Sequence, residues 1–214
     1  MILEIACFNV ESCIIAEKAG AQRIEFCNDY ESGGLTPSFQ DIAKVRKLIK
    51  IPVHVIIRFK KEDVKQMEEA IWFCRKFKID GVVFGVLKEN NIDILSCVKL
   101  VELARPMKCT FHRYIDRCND IDTSVEQLID IGFDNVLTSG GKENAVDGIE
   151  TIARLQKKYG DKISIIPGGG VRSHNVKLIK EKTQCHTFHS SALLQNSKNA
   201  DETVIKELLN AINS

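Results

Sequence analysis

Short runs of β-branched and aromatic residues recur along the chain, each preceded by a polar or glycine turn. The runs are Leu3–Ala6, Arg23–Phe26, Val53–Ile57, Gly81–Phe84, Lys108–Phe111, Asn135–Leu137, Ser164–Ile166 and Thr187–His189. Between them, apolar residues fall at helical spacing: Val10, Cys13 and Ile14; Phe39, Ile42, Val45 and Ile49; Ile149, Ile152 and Leu155; Val204, Leu208 and Ile212. Asn9 and Ser38 stand where N-caps belong. Strands that alternate with helices predict a parallel sheet, and eight such units predict closure into a (β/α)₈ TIM barrel rather than an open sheet. No linker or low-complexity tract interrupts the pattern, so residues 1–214 read as one barrel domain near the small end of that fold's range.

In such a barrel the C-terminal ends of the strands carry the chemistry. Side chains alternate faces along a strand, so Glu25 and Cys27 share one face, as do His54 and Arg58, and Thr110 and His112. Polar residues inside a barrel have to satisfy one another, and Glu25 is expected to pair with Arg58. The candidate catalytic set is Glu25, Arg58, His112, Arg113, Asp116 and His189. The histidines titrate near neutral pH and the arginines suit a carboxylate or phosphate. Gly168, Gly169 and Gly170, with Ser190 and Ser191, lie after strands 7 and 8, where glycine lets backbone N–H groups approach a phosphate. Two blander readings stand beside these: an ion-pair network that only fills the barrel, and a tight glycine turn with Ser173 capping the next helix. His54 reads as a satisfied core histidine, and His174 and His186 as surface residues.

Composition narrows the field. Of 214 residues, 44% are hydrophobic and 28% charged, with a net charge of +1. That is ordinary for a globular protein and argues against nucleic-acid or membrane-surface binding. No apolar run reaches the roughly 18 residues of a membrane span, and the N-terminus lacks the basic region of a signal peptide, so a cytoplasmic location is expected. The eight cysteines form no CxxC pair and are expected to be reduced, packed as small hydrophobes.

Several motifs together resemble the CutC family of copper homeostasis proteins. They are Val10-Glu11-Ser12; Gly20-Ala21 with Arg23-Ile24-Glu25 and Cys27; Gly33-Gly34-Leu35-Thr36-Pro37-Ser38; Ile51-Pro52-Val53 with Ile57-Arg58; Thr110-Phe111-His112-Arg113 with Asp116; Val136–Gly140; Pro167–Val171; and His189-Ser190-Ser191-Ala192. The resemblance implies a (β/α)₈ barrel, a cytoplasmic homo-oligomer (dimer or tetramer) and a link to copper tolerance, with Cu(I) held by cysteines at the ends of the first two strands. Cys27 matches the second of these. Ala6 stands at the first, so Cys27 and the nearby Cys7 are the candidate metal thiols; alternation turns Cys7 toward the helices, away from Cys27, unless a bulge or an early strand end brings it round. The segment after Arg58, Phe59–Asp63, and the stretch Gln195–Asn199 after Ala192 are shorter than the family's loops. Three functions are therefore open: copper(I) handling; an enzyme acting on a small phosphorylated or carboxylated metabolite; and a barrel that binds a ligand or partner without turnover.

Overall fold

The computed structural model describes every residue of the chain except Glu62 and Asn196. Both fall within the two shortened loops, so the expectations that touch them lie outside the described residues. The eight expected strands form: β1 (Ile2–Cys7), β2 (Arg23–Phe26), β3 (Val53–Ile56), β4 (Gly81–Phe84), β7 (Lys108–Phe111), β8 (Asn135–Thr138), β9 (Ser164–Pro167) and β10 (Thr187–Ser190). They pair in parallel in the order β10-β1-β2-β3-β4-β7-β8-β9, and β9 returns to lie beside β10, which closes the barrel. A small hairpin that the hydrophobic pattern does not announce, β5 (Leu87–Lys88) and β6 (Asn91–Ile92), follows β4. Its turn residues Glu89 and Asn90 both have positive φ, as a two-residue hairpin of this hand requires.

Helices α1 (Val10–Ala19), α2 (Phe39–Leu48), α3 (Val64–Lys76), α4 (Ile94–Ala104), α5 (Ile121–Ile131), α6 (Ile149–Tyr159), α7 (Ser173–Thr183) and α8 (Glu202–Asn213) cover the outside. Asn9 and Ser38 cap α1 and α2 through their side chains, as expected. Ser173 does not cap α7. It is the first residue of that helix, its hydroxyl donates to Glu207, and Asn175 accepts the Arg172 N–H instead. Phe39 does not join the α2 core face; it lies on the surface, stacked 4.3 Å from Phe73. Among the described residues no helix is long and apolar enough to cross a membrane.

Strand alternation divides the interior into two shells. Ile5, Cys7, Ile24, Phe26, Val55, Phe84, Phe111 and Phe188 face the helices and form the main apolar core. Glu4, Arg23, Glu25, Cys27, His54, Thr110, Asn135 and His189 alternate with them and fill the barrel's inside, all but His189 buried. Gly81 belongs to this inner set because His54 occupies the space of its side chain: a Cβ there would meet the imidazole at 2.5 Å. Gly81→Ala is therefore expected to destabilise the barrel by about 1–3 kcal/mol through overpacking, measured as a lower urea midpoint with an unchanged m-value.

Candidate functional site

The lower layer of the barrel interior is an ionic cluster. Glu4 on β1 accepts from Arg23 Nε at 2.5 Å and from His189 Nδ1 at 2.8 Å. His189 Nε2 lies 3.7 Å from the Glu25 carboxylate, and the Cys27 thiol donates to the same carboxylate at 3.3 Å. Adjacent registers bring these groups together, since Glu4 lies beside His189 and Arg23, and Glu25 beside His54.

The protonation states diverge within this one cluster. Burial alone would raise the Glu4 pKa, but Arg23 and the bonded His189 outweigh it and hold Glu4 well below the usual carboxylate range. Burial, with Glu4's charge behind it, raises the pKa of Glu25 against the pull of His189. Burial also opposes the charge on His189, yet Glu25 and the bonded Glu4 raise its pKa above the ordinary histidine value. His112 goes the other way: burial, then the charge of Arg58, pushes it down to about 3. His54 is likewise pushed down to about 4 by burial and then Arg23.

His54 is buried as expected, but it is not satisfied: its Nδ1, like Arg23 Nη2, finds no partner among the described residues. Buried neutral histidines carry a sign for stability. With folded pKa values below the unfolded 6.5, His54 and His112 contribute stability that is full above that pH and is lost as pH falls toward 4 and 3. Each is expected to remove about 1.4 kcal/mol per pH unit in that window. A His54→Asn variant should show a correspondingly shallower slope in urea unfolding between pH 6.5 and 5.

Above the cluster a cleft of about 800 Å³ opens at the C-terminal face. Glu25, Cys27, Arg58, His112, Arg113, Asp116, Gly169, Gly170, His189, Ser190 and Ser191, all singled out from the sequence, line it. Gly168 sits just beneath, its N–H donated to Thr138 O. Cys7, the second candidate metal thiol, does not join Cys27 at the cleft; no bulge interrupts the alternation of β1, which turns its side chain to the helices in the main core.

The expected Glu25–Arg58 pair does not form. Arg58 lies beyond the pleat that carries Glu25, and its Nη1 donates to the carbonyls of Ser32 and Gly34 while Nε donates to the Tyr114 hydroxyl. Arg113 and Asp116 are bound up in the loop after β8. Asp116 accepts from Thr138, from the N–H and hydroxyl of Ser139, from Gly141 N–H and from Arg113, which also donates to the carbonyls of Lys142 and Glu143. Their geometry is that of a loop brace that also places the Arg113 guanidinium against Gly169. Ser190 Oγ is similarly committed, donating to Val171 O and accepting from Ala192 N–H and Arg172.

Four participants escaped the sequence reading: Tyr114, Arg117, Lys142 and Arg172. Arg172 follows the glycine run directly and reaches Ser191 Oγ at 3.4 Å, a position that the pattern Gly-Gly-Gly-Val-Arg could have flagged. Arg117 lies over the Tyr114 ring at 4.5 Å and Arg58 over the same ring at 5.4 Å. Among the described residues, Arg58, Arg117 and Arg172 form no ion pair, and the cations lining the cleft (Arg58, Arg113, Arg117, Lys142 and Arg172) outnumber its carboxylates (Glu25, Asp116 and Glu143), so the cleft carries an excess of positive charge. His112 Nδ1 accepts the Tyr114 N–H, which leaves the proton on Nε2; that atom is buried without a partner.

Comparison with known proteins gives one consistent family. The CutC family model matches residues 1–194. A protein of Parabacteroides distasonis designated family protein CutC is 41% identical over 200 residues, which cover 89% of this chain and 82% of that one. The human copper homeostasis protein cutC homolog is 36% identical, covering 89% of this chain and 73% of its own length. A CutC structure from Streptococcus agalactiae superposes with a TM-score of 0.84 at 27% identity, over 89% of this chain and 98% of that one. Phosphoribosyl anthranilate isomerase from Thermotoga maritima superposes at 0.68 with 14% identity and shares the barrel fold.

Proposed function

The chain belongs to the CutC family, and on that footing we propose that its barrel binds and transforms a small phosphorylated or carboxylated metabolite at the C-terminal cleft. One observation carries the reading: titratable groups of the same kind are driven apart beside an unpaired cationic surface. Glu4 is held ionised while Glu25 is pushed toward its protonated form. His189 is pushed toward its charged form while His112 is held neutral. Such splitting is how one site supplies both a proton donor and a neutral hydrogen-bond donor near neutral pH. In this reading Glu25 moves the proton, with His189 and Glu4 behind it, and His112 Nε2–H polarises an oxygen of the substrate. The N–H groups of Gly169 and Gly170, which donate to no acceptor among the described residues, hold the anion with Arg172. Reduced thiols throughout the described chain support a cytoplasmic setting.

A panel of phosphorylated and carboxylated metabolites tests this by thermal denaturation. A true ligand at a hundred times its Kd stabilises by about 2.7 kcal/mol, a rise in Tm of roughly 5–10 °C for a chain of this size. The rise should vanish in Gly169→Ala, whose Cβ would approach the Arg113 guanidinium at 3.0 Å on a backbone with φ +92. A panel with no stabilising member would sink the proposal.

A second reading, Cu(I) handling, draws on the designation of the human relative and on Cys27 at the cleft floor. The donor set does not fit it. Cu(I) favours soft thiolates, and the cleft offers it one: the Cys27 thiol, whose pKa burial and the neighbouring Glu25 push well up in the metal-free protein. Ala6 supplies no second sulfur, Cys7 faces the other way, and no group of three metal-ligating side chains occurs among the described residues. An anaerobic Cu(I) competition titration is expected to show weak binding that is equal in wild type and Cys27→Ser. Tight one-to-one binding lost in the variant would instead establish copper handling.

A further inference from the structure

The cationic groups of the cleft form two poles, and we infer that the ligand carries two anionic groups, one for each pole, with a hydrogen-bond acceptor between them. This rests on the reading of the cleft as an anion site and specifies what that anion is.

The strand order fixes the geometry. In the closed order β10-β1-β2-β3-β4-β7-β8-β9, the junction of β9 and β10 lies across the barrel from the junction of β3 and β4. The first pole stands at the β9–β10 junction: the Gly169 and Gly170 N–H groups, with Arg172 reaching toward Ser190 and Ser191. Backbone donors beside a guanidinium suit a phosphate. The second pole stands opposite. Arg58 stands two residues past the end of β3, and its guanidinium and that of Arg117 both lie against the Tyr114 ring, 5.4 and 4.5 Å from its centroid. Two guanidiniums without a carboxylate partner suit a carboxylate from the ligand.

A single phosphate would satisfy one pole and leave the other uncompensated. Between the poles, β2 and β7 stand on the two flanks and bring Glu25 and His112 to the cleft from opposite sides. His112 is 5% exposed, and its Nε2–H has no acceptor among the described residues. A buried donor left unmade costs about 1–3 kcal/mol, which a carbonyl or hydroxyl oxygen of the ligand would recover. The chemical class is therefore a small phosphorylated acid with a carbonyl or hydroxyl group along the chain that joins its two ends. The cleft volume of about 800 Å³ accommodates such a molecule.

Calorimetric titration with inorganic phosphate and with a series of phosphonocarboxylates, from phosphonoacetate to phosphonohexanoate, tests this. One chain length is expected to bind at least about tenfold tighter than phosphate, because the second contact becomes intramolecular. Arg117→Ala should abolish that gain and leave the weaker binding of phosphate at the glycine pole, since Arg117 lies over the Tyr114 ring and not at the glycine run. Arg58→Lys is the companion variant, keeping a donor for the Ser32 and Gly34 carbonyls. Phosphate binding with no gain at any chain length would overturn the two-pole inference and leave the anion site standing. A gain that survives in both variants would also overturn it. No binding of any probe would remove the anion site and this inference together.

Discussion

Glu4→Gln is expected to lower stability at neutral pH by about 3–5 kcal/mol, the cost of breaking a buried ion pair on one side only. For a chain of this length that is a fall in Tm of roughly 6–20 °C. Among the described residues Glu4 is the one carboxylate bonded to both Arg23 and His189 on the barrel floor. Without its charge Arg23 is left buried, with Nη2 already lacking an acceptor. Glu4's folded pKa is depressed, so its contribution is present above the unfolded carboxylate range and is lost as pH falls below it. Wild type and variant should therefore differ most near pH 7 and draw together in acid. Thermal melts across that range check it; a pH-independent difference would mean that packing, not charge, is what Glu4 supplies.

Glu25→Gln is expected to lower turnover of a substrate found in the metabolite panel by about 10²–10⁴-fold, the usual share of a positioned acid or base, with little change in ligand affinity. Glutamine keeps the shape and can still accept from Cys27, but it cannot exchange a proton. Glu25's raised pKa means that the protonated form, and any step that needs it as an acid, declines as pH rises through that value. His112 sets no limb of the profile near neutrality, because it stays neutral down to about pH 3. Rate and pH profile on both proteins decide the matter. A variant that keeps its rate would remove Glu25 from the chemistry.

The barrel was legible because alternation and turn chemistry repeat, and both reflect local physics. Cys7 shows how far that reaches: one pleat of register was enough to place its thiol outside the barrel. The site was legible only as a set of strand ends. Glu25, His112, His189 and the glycines reach the cleft because strands hold them. The pairing of Glu25 with Arg58 failed because Arg58 sits just past the end of β3, where loop carbonyls of Ser32 and Gly34 claim its guanidinium. The Glu4–Arg23–His189 cluster depends on register between neighbouring strands, which periodicity within a strand does not carry. Tyr114 and Arg117 lie on a turn whose course is set by tertiary contacts, so no spacing marks them, whereas Arg172 is marked by its place right after the glycine run.

An anion cradle above the barrel can be seen in an NMR titration of the protein with inorganic phosphate, following the backbone amides of Gly169 and Gly170. A saturable shift of both amides, lost in Arg172→Gln, is the predicted result. Amides that stay in place while phosphate is raised, or shifts confined to surface lysines, would contradict it.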